Sequence, residues 1–213
     1  MSFELCVVTD RDIAGERDIL EIVSQSLAGG AGIIQLREKD VSSREFLEIA
    51  LRIKKLFGKY GDRLFIVNDR VDIASASGAD GVHLGQEDMP VSYARKILGP
   101  DAVIGVSVSS TEEAEKAVRG GASYLGAGAV YPTPTKPEAG AIGLSGIRGI
   151  ASAVKIPVVA IGGINLMNAG EVILAGASGA AVVSGVMASS NPRLAVEELL
   201  SAVRVAGRRR ARE

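Results

Sequence analysis

Histidine, cysteine and tryptophan are almost missing from this chain of 213 residues. It contains one histidine, one cysteine and no tryptophan, and aromatic residues make up only 4% of the sequence. A single cysteine cannot build a disulfide framework, and Cys6 with His83 does not provide the cluster of ligands that a zinc site requires. These absences exclude a disulfide scaffold and argue against a zinc enzyme.

Long apolar runs and an excess of either charge are also absent. No stretch reaches the roughly 18 apolar residues that a membrane span needs, and no signal peptide precedes the first polar residues. Lys and Arg number 24 against 25 Asp and Glu, so the net charge is near zero and gives no reason to expect a nucleic-acid or membrane partner. We expect a soluble cytoplasmic protein, with a homo-oligomer left open.

The one local excess of charge lies at the end of the chain. Five arginines occur there: Arg204, Arg208, Arg209, Arg210 and Arg212. Charge runs of this kind are usually solvated. We therefore expect residues 206–213 to form a frayed basic tail, and a tail that binds a partner is the alternative.

Short runs of consecutive apolar, often β-branched residues alternate with longer helical patterns along the whole chain. Such runs are typical of strands that are buried on both faces of a parallel sheet. The predicted strands are 5–9, 33–36, 64–68, 81–84, 103–107, 124–126, 158–161 and 180–184. The predicted helices lie near 17–28, 43–60, 70–77, 90–98, 111–120, 144–154, 168–175 and 192–205.

Glycine-rich junctions join many of these units. Segments that begin at Gly29, Gly78, Gly120 and Gly176 each lie between a predicted helix and the next predicted strand. Glycine supplies the left-handed residue that ends a helix and lets the chain turn tightly into the sheet. Eight strands in strict alternation with helices favour a closed (β/α)₈ TIM barrel over an open doubly wound sheet. We predict a single barrel domain over residues 1–213.

Polar residues follow the predicted strands, at the end where such barrels carry their active sites. Gln35, Arg37 and Lys39 alternate along one extended segment, which directs the three side chains to one side. A guanidinium and an ammonium that point together suit a multiply charged anion. Surface pairing of the Arg37–Glu38 kind is the structural alternative, but Glu38 is out of phase with Arg37.

Two single carboxylates follow neighbouring strands. Asp69 comes after the third predicted strand and Asp88 after the fourth. Mg²⁺ characteristically takes one or two carboxylates and completes its octahedron with water and substrate phosphate oxygens. We predict a Mg²⁺ site here, and helix capping by either residue is the structural alternative.

A second anion site is predicted from three further loops. The proline-rich loop over residues 131–137 offers Thr133, Thr135 and Lys136, although a merely structural turn is the alternative. Gly163 follows the seventh predicted strand and Ser184 ends the eighth, where barrels commonly hold a phosphate on backbone N–H groups.

His83 is the only histidine and lies on the fourth predicted strand. We therefore favour an orienting or core role for it over proton transfer. No Gly-x-Ser-x-Gly elbow is present, which argues against a serine hydrolase.

Taken in order, the motifs at these strand ends resemble those of the thiamine-phosphate synthase family over almost the whole chain. Each motif alone is ordinary, whereas six in sequence are highly specific. They are Gln35-Leu36-Arg37-Glu38-Lys39, Val67-Asn68-Asp69, Val82-His83-Leu84-Gly85-Gln86-Glu87-Asp88, Gly105-Val106-Ser107, Tyr131-Pro132-Thr133-Pro134-Thr135-Lys136 and Ala160-Ile161-Gly162-Gly163-Ile164.

The resemblance implies a Mg²⁺-dependent transferase of thiamine biosynthesis. It would join 4-amino-2-methyl-5-hydroxymethylpyrimidine diphosphate to the phosphorylated hydroxyethyl thiazole and release diphosphate. The pyrimidine diphosphate would contact Gln35, Leu36, Arg37, Glu38, Lys39, Asn68, Ser107 and Lys136, with Arg37, Lys39, Ser107 and Lys136 acting in catalysis. Asp69 and Asp88 would hold Mg²⁺. The thiazole phosphate would contact Thr133, Pro134, Thr135, Gly163, Val183 and Ser184.

Two other functions remain as alternatives. The related thiazole tautomerases share the barrel and resemble this chain in Arg-Glu-Lys and His-Leu-Gly-Gln, but typically carry a histidine where this chain has Gln35 and a second near Ala129. This chain has neither histidine and retains the Thr-x-Thr-Lys loop. A non-catalytic, phosphate-binding regulatory barrel is the other alternative, and the acidic pair Asp69 and Asp88 argues against it.

Overall fold

A computed structural model describes residues 2–133 and 140–212 of the chain, and these form a closed barrel of parallel strands surrounded by helices. The strands are β1 Leu5–Val8, β2 Ile33–Leu36, β3 Leu64–Asn68, β4 Gly81–Leu84, β5 Val103–Val108, β6 Tyr124–Ala127, β7 Val158–Ile161 and β8 Gly179–Val182. The helices are α1 Arg11–Ala14, α2 Ile19–Gly29, α3 Ser43–Phe57, α4 Val71–Ser77, α5 Val91–Leu98, α6 Thr111–Arg119, α7 Gly143–Ala153, α8 Ala169–Leu174, α9 Ser184–Met187 and α10 Pro192–Arg210.

The strand order confirms the predicted fold. Each strand pairs in parallel with the next one along the chain, and β8 pairs with β1 to close the sheet. A helix lies between successive strands, as a right-handed parallel crossover requires. Among residues 2–133 and 140–212, no helix is both long enough and apolar enough to cross a membrane.

Alternate residues of each strand divide the core into two layers. On β1, Leu5 and Val7 pack outward against the helices, whereas Cys6 and Val8 belong to a separate cluster inside the barrel. On β2, Ile34 and Leu36 belong to the outer layer and Ile33 to the inner one. Successive side chains on a strand point to opposite faces, so the residues in phase with the inner cluster are directed towards the barrel axis and the rim.

Local sequence signals set several helix starts. Ser42 and Ser110 accept hydrogen bonds from Glu45 N and Glu113 N, and the Asn191 side chain accepts one from Leu194 N. These bonds satisfy backbone N–H groups that lack a partner within the helix. The predicted starts of α3, α6 and α10 agree with these caps.

Several elements differ from the predictions. The four-residue helices α1 and α9 were not expected, because four residues are too few for an apolar periodicity to be visible. The strand β8 ends at Val182 rather than at residue 184, since Val183 is already the N-cap of α9.

The last helix is longer than expected. It extends to Arg210, whereas the sequence pattern placed its end at residue 205 and a frayed tail from residue 206. The Arg210 guanidinium donates to the carbonyl oxygens of Ile173 and Ala177, both at 2.7 Å. Because this contact ties the last turn to the end of α8 and the chain that follows it, the segment from 206 to 210 is helical.

The lumen leaves no room for a side chain at Gly81, and we predict that Gly81→Ala destabilises the barrel. A Cβ there would lie 1.7 Å from the carbonyl oxygen of Val103 on the neighbouring strand, which is backbone and cannot rotate away. Overpacking of this kind costs about 1–3 kcal/mol or more. Urea unfolding followed by circular dichroism measures the change.

Gly207→Ala is the matched control for that prediction. Gly207 lies in α10, and a Cβ there meets nothing within 4 Å. Alanine exceeds glycine in helix propensity by up to about 1 kcal/mol, so the control keeps or slightly raises the free energy of unfolding. Equal unfolding midpoints for Gly81→Ala and the unsubstituted chain would contradict the packing argument.

Candidate active site

A cavity of about 510 Å³ opens at the carboxyl ends of the strands. Its walls come from nearly every strand of the barrel, and the inward-facing residues of the strands form its floor. The lining includes Gln35, Arg37, Lys39, Asn68, Asp69, His83, Gln86, Asp88, Ser107, Ala129, Thr133, Gly163, Asn165, Val183 and Ser184. Polar and charged groups thus meet at the carboxyl end of the barrel, as the predicted alternation of strands and helices led us to expect.

Gln35, Arg37 and Lys39 all line the cavity, as expected from their alternation along the chain. The Arg37 guanidinium is held by Asp10 at 2.9 Å, and the Arg37 backbone N–H donates to Thr9 Oγ1 at 3.0 Å. Both partners come from the end of β1, which is adjacent to β2 in the sheet. Two fixed contacts therefore orient Arg37 towards the cavity before any ligand arrives.

Leu36 and Glu38 alternate with these three residues, and their side chains do not face the main cavity. Leu36 is fully buried in the outer core beneath the helices. The Glu38 side chain is 2% exposed and pairs with Arg11 at 3.1 Å, in an adjoining cavity of about 420 Å³. Burial raises the pKa of Glu38, and the Arg11 guanidinium opposes that shift. Neither side chain lines the main cavity, so within this segment a ligand there meets the side chains of Gln35, Arg37 and Lys39.

The two carboxylates of Asp69 and Asp88 lie close together in the cavity wall. Lys39 Nζ is 2.8 Å from Asp69 Oδ2, and Asp88 Oδ2 accepts a hydrogen bond from Gly85 N at 2.7 Å. Burial, the largest influence, raises the pKa of Asp88; the adjacent Asp69 also raises it, whereas the Gly85 N–H and Lys39 lower it. Two neighbouring carboxylates in one cavity wall form a place where a cation is stabilising.

The capping alternatives do not apply to these two residues. The N-cap positions of α4 and α5 are Arg70 and Pro90, and neither helix start has a side-chain cap. Asp69 instead has a φ of 62°, in the left-handed region, and its N–H donates to the His83 carbonyl at 2.8 Å. An unusual backbone conformation of a non-glycine residue is typical of functional sites.

The donor set fits a hard divalent cation that shares its coordination with a ligand. Across residues 2–133 and 140–212, no group of three or more His, Cys, Asp or Glu side chains is arranged to hold a metal ion. Two neighbouring carboxylates are what Mg²⁺ commonly takes from a protein when phosphate oxygens and water complete its shell. Asp69 and Asp88 are therefore the residues that could hold it.

His83 lies at the floor of the cavity, between two hydroxyl groups. Its Nδ1 is 2.9 Å from the Tyr124 hydroxyl and its Nε2 is 2.9 Å from Ser107 Oγ. His83 is 7% exposed and Tyr124 is 1% exposed. Both ring nitrogens of the histidine therefore take part in a buried chain of hydrogen bonds that ends at a cavity-lining serine.

A glycine and small side chains form the opposite wall of the cavity. Gly163 has a φ of 67°, and a Cβ there would lie 2.7 Å from the Tyr131 Cβ, so this position requires glycine. Thr133, Val183 and Ser184 line the same side of the cavity. Pro134, Thr135 and Lys136, also expected at this site, lie outside the described residues.

Two contributors escaped prediction from the sequence. Asp10 directly follows β1, and its position at a strand end was a signal that could have identified it as the partner of Arg37. Tyr124 begins β6, where an aromatic residue is most simply interpreted as core. Its contact with His83 depends on how β4, β5 and β6 are aligned, which the sequence pattern does not give.

Comparison with known proteins identifies the family. A family model described as thiamine monophosphate synthase matches residues 5–186. Thiamine-phosphate synthase of Caldanaerobacter subterraneus subsp. tengcongensis is 52% identical over 187 residues, 87% of each chain. That of Pyrococcus horikoshii is 52% identical over 196 residues, 92% of each chain. A solved thiamine phosphate pyrophosphorylase from Pyrococcus furiosus is 48% identical, with a TM-score of 0.88 over 96% of both chains. The chain therefore belongs to the thiamine monophosphate synthase family, whose members are transferases of thiamine biosynthesis.

Proposed function

We propose that this cavity joins 4-amino-2-methyl-5-hydroxymethylpyrimidine diphosphate to 4-methyl-5-(2-phosphoethyl)thiazole, with Mg²⁺ bound, to give thiamine phosphate and diphosphate. The observation that carries the proposal is the placement of the Asp69–Asp88 pair beside Lys39, Arg37 and Ser107 in one cavity. An acidic pair directly next to two cations suits a metal-bound diphosphate, because the metal and the cations bind the same anion from different sides.

The diphosphate side of the cavity is built from β2, β3 and β5. Gln35, Arg37 and Lys39 provide an amide, a guanidinium and an ammonium, and Asn68 and Ser107 add further hydrogen-bonding groups. Arg37 is fixed by Asp10, so little side-chain entropy is lost when it meets a diphosphate oxygen. Lys136 is assigned to the same group by its place in the sequence motif.

Asp69 and Asp88 would hold Mg²⁺ through one carboxylate each. When bound, the ion would supply positive charge to the diphosphate oxygens, which makes diphosphate a better leaving group. Lys39 already contacts Asp69 at 2.8 Å, so its ammonium also lies next to the negative charge that accumulates as the bond breaks.

The proposed reaction is dissociative. The bond between the methylene carbon and the diphosphate oxygen breaks first, and the electron pair leaves with diphosphate. The aminopyrimidine stabilises the resulting cation, and the thiazole nitrogen donates its lone pair to form the new carbon–nitrogen bond. No proton has to be removed, so the protein needs to stabilise the leaving group, orient the thiazole and exclude water.

The thiazole phosphate is assigned to the opposite wall. Thr133, Gly163, Val183 and Ser184 line it, and residues Pro134 and Thr135 are added by the sequence motif. Gly163 has no Cβ because the Tyr131 backbone and side chain occupy that space. A close approach of backbone to ligand at such a glycine suits a phosphate group.

The site favours this transferase over the two alternatives. Gln35 and Ala129, the positions where tautomerases typically carry histidines, both line the cavity and neither can transfer a proton. A regulatory barrel that only bound phosphate would gain nothing from two adjacent carboxylates, which repel an anion unless a cation lies between them.

The proposal predicts a product. The purified chain, given both substrates and Mg²⁺, should release thiamine phosphate and diphosphate in equal amounts, measured by chromatography and a diphosphate assay. Diphosphate release without thiamine phosphate would contradict the proposed condensation. Isomerisation of a thiazole carboxylate phosphate by the same protein would instead support the tautomerase.

Asp88→Asn should shift the Mg²⁺ dependence to higher concentration. The substitution removes one negative charge from the pair while it keeps the size of the side chain, so metal binding weakens more than folding. A Mg²⁺ titration of the initial rate measures this change, with Asp101→Asn at an exposed turn as the matched control. Superimposable titrations for Asp88→Asn and the control would remove Asp88 from the metal site.

Lys136→Ala should lower the turnover number by about 10²–10³, the scale for losing one group that stabilises charge in the transition state. The matched control is Lys155→Ala, an exposed lysine just before β7, at the amino end of the barrel. Steady-state kinetics with both substrates gives the comparison. Equal turnover in the two variants would show that Lys136 does not act on the leaving group.

A further inference from the structure

A chain of hydrogen bonds crosses the barrel interior beneath the cavity, and the alignment of three strands creates it. His83 on β4 is paired with Gly105 on β5, and Gly105 is paired with Tyr124 on β6. With glycine between them, the imidazole and the phenol meet directly, with His83 Nδ1 2.9 Å from the Tyr124 hydroxyl. The other ring nitrogen, His83 Nε2, lies 2.9 Å from Oγ of Ser107, which is two residues beyond Gly105 on β5.

Two glycines are required for this arrangement. A Cβ on Gly105 would lie 2.3 Å from Tyr124 Cζ and 2.4 Å from His83 Nδ1, inside the hydrogen bond itself. A Cβ on Gly126 would lie 2.7 Å from His83 Cε1. The lumen is therefore shaped around the imidazole on two sides, and the position of the ring does not depend on a bound ligand.

The direction of the hydrogen bonds follows from the chemistry of the partners. The Tyr124 hydroxyl is deeply buried, and its burial raises its pKa well above the usual value, so the phenol keeps its proton. Burial is the largest influence on this pKa, and Gln35 acts in the opposite direction and lowers it. We assign the phenol as the donor to His83 Nδ1, 2.9 Å away, because a phenol O–H is a stronger donor than a neutral imidazole N–H and an imidazole nitrogen is the stronger acceptor.

The same direction continues to the cavity. An imidazole nitrogen that accepts a hydrogen bond leaves the proton on the other nitrogen, so His83 Nε2–H donates to Ser107 Oγ. A hydroxyl that accepts one hydrogen bond retains its own hydrogen for a further acceptor. Ser107 lines the cavity beside Gln35 and Asn68, where the proposed function places the diphosphate.

We propose that Tyr124 is a positioning residue, which acts through His83 to hold the Ser107 hydroxyl as a hydrogen-bond donor towards the leaving diphosphate. The inference rests on the proposed function for the identity of the acceptor. The buried chain runs from Tyr124 through His83 to Ser107, and Ser107 lines the same cavity as Gln35. A ligand that binds Ser107 therefore meets a donor whose orientation is already set.

The first test removes one hydroxyl. Tyr124→Phe keeps the ring that packs on Phe3, with centroids 5.3 Å apart, and removes only the donor to His83. We expect about a tenfold fall in kcat, the scale of one lost neutral hydrogen bond, with the KM for the thiazole phosphate unchanged. Ser26→Ala is the matched control, because it removes another buried hydroxyl, one that donates within α2.

A double substitution tests whether Tyr124 acts through Ser107. In the Ser107→Ala background, Tyr124→Phe should change kcat by less than twofold, because the group that it positions is already gone. Full additivity of the two effects, or an unchanged kcat in Tyr124→Phe alone, would overturn the inference. Urea unfolding of each variant accompanies the kinetics, so that a loss of fold is recognised as such.

A second pair of variants keeps the inference testable if Tyr124→Phe fails to fold. His83→Gln retains an amide N–H that can donate to Ser107, whereas His83→Leu has none. The glutamine variant should therefore keep several-fold more activity than the leucine variant. Equal activity of the two would contradict a role for His83 as a donor to Ser107.

Binding of inorganic diphosphate with Mg²⁺, measured by titration calorimetry, separates this inference from the proposed function. Tyr124→Phe should weaken that binding about tenfold in the chain with Ser107 and leave it unchanged in the Ser107→Ala background. If the unsubstituted chain makes no thiamine phosphate but shows this pattern, the proposed condensation fails and the positioning role stands. Equal diphosphate affinity in Tyr124→Phe and the unsubstituted chain rejects the positioning role.

Discussion

Space inside the barrel is the constraint on which the site depends. Every second residue of each strand faces the same narrow lumen, and the strands fill it unequally. The inward positions of β2 and β3 include the large apolar residues Ile33, Leu64 and Ile66, whereas those of β4, β5 and β6 include Gly81, Gly105 and Gly126. The rings of His83 and Tyr124 occupy the room left by Gly105 and Gly126. A polar chain can therefore cross a core that is otherwise closely packed.

Electrostatics at the rim follows from the same geometry. The carboxyl ends of adjacent parallel strands bring Asp10 next to Arg37 and Asp69 next to Lys39, at 2.9 Å and 2.8 Å. Arg37 and Lys39, the cations of the proposed diphosphate clamp that lie within the described residues, thus each have a carboxylate partner in the protein. The pairs hold the cations in place without a ligand. An arriving metal ion therefore meets carboxylates, and an arriving diphosphate meets cations, within one cavity.

The fold could be predicted closely because its signals are local. Apolar runs bounded by glycine mark the strands, and Ser42, Ser110 and Asn191 mark helix starts, so most predicted boundaries lie within a few residues of the observed ones. The residues at the strand ends could likewise be predicted to share one cavity. The motif from Gln35 to Lys39 predicts a contiguous binding segment, but alternation sends Leu36 into the outer core and Glu38 to Arg11.

Contacts across strands could not be predicted, since they depend on register. Nothing local to Tyr124 indicates that Gly105 lies beside it and His83 lies beyond, because the three are separated along the chain and meet only when the sheet closes. The Asp10–Arg37 pair likewise requires that β1 and β2 align as they do. Such contacts belong to the closed barrel as a whole rather than to any one segment.

The lack of a side chain at Gly105 limits the substitutions that this sequence can accept. Its neighbours on both sides occupy the space that any side chain would need, at 2.4 Å for the histidine ring and 2.3 Å for the tyrosine ring. A larger residue there fits only when positions 83 and 124 become smaller. We therefore expect positions 83, 105 and 124 to change together, since a chain without the two rings has room for a side chain at position 105.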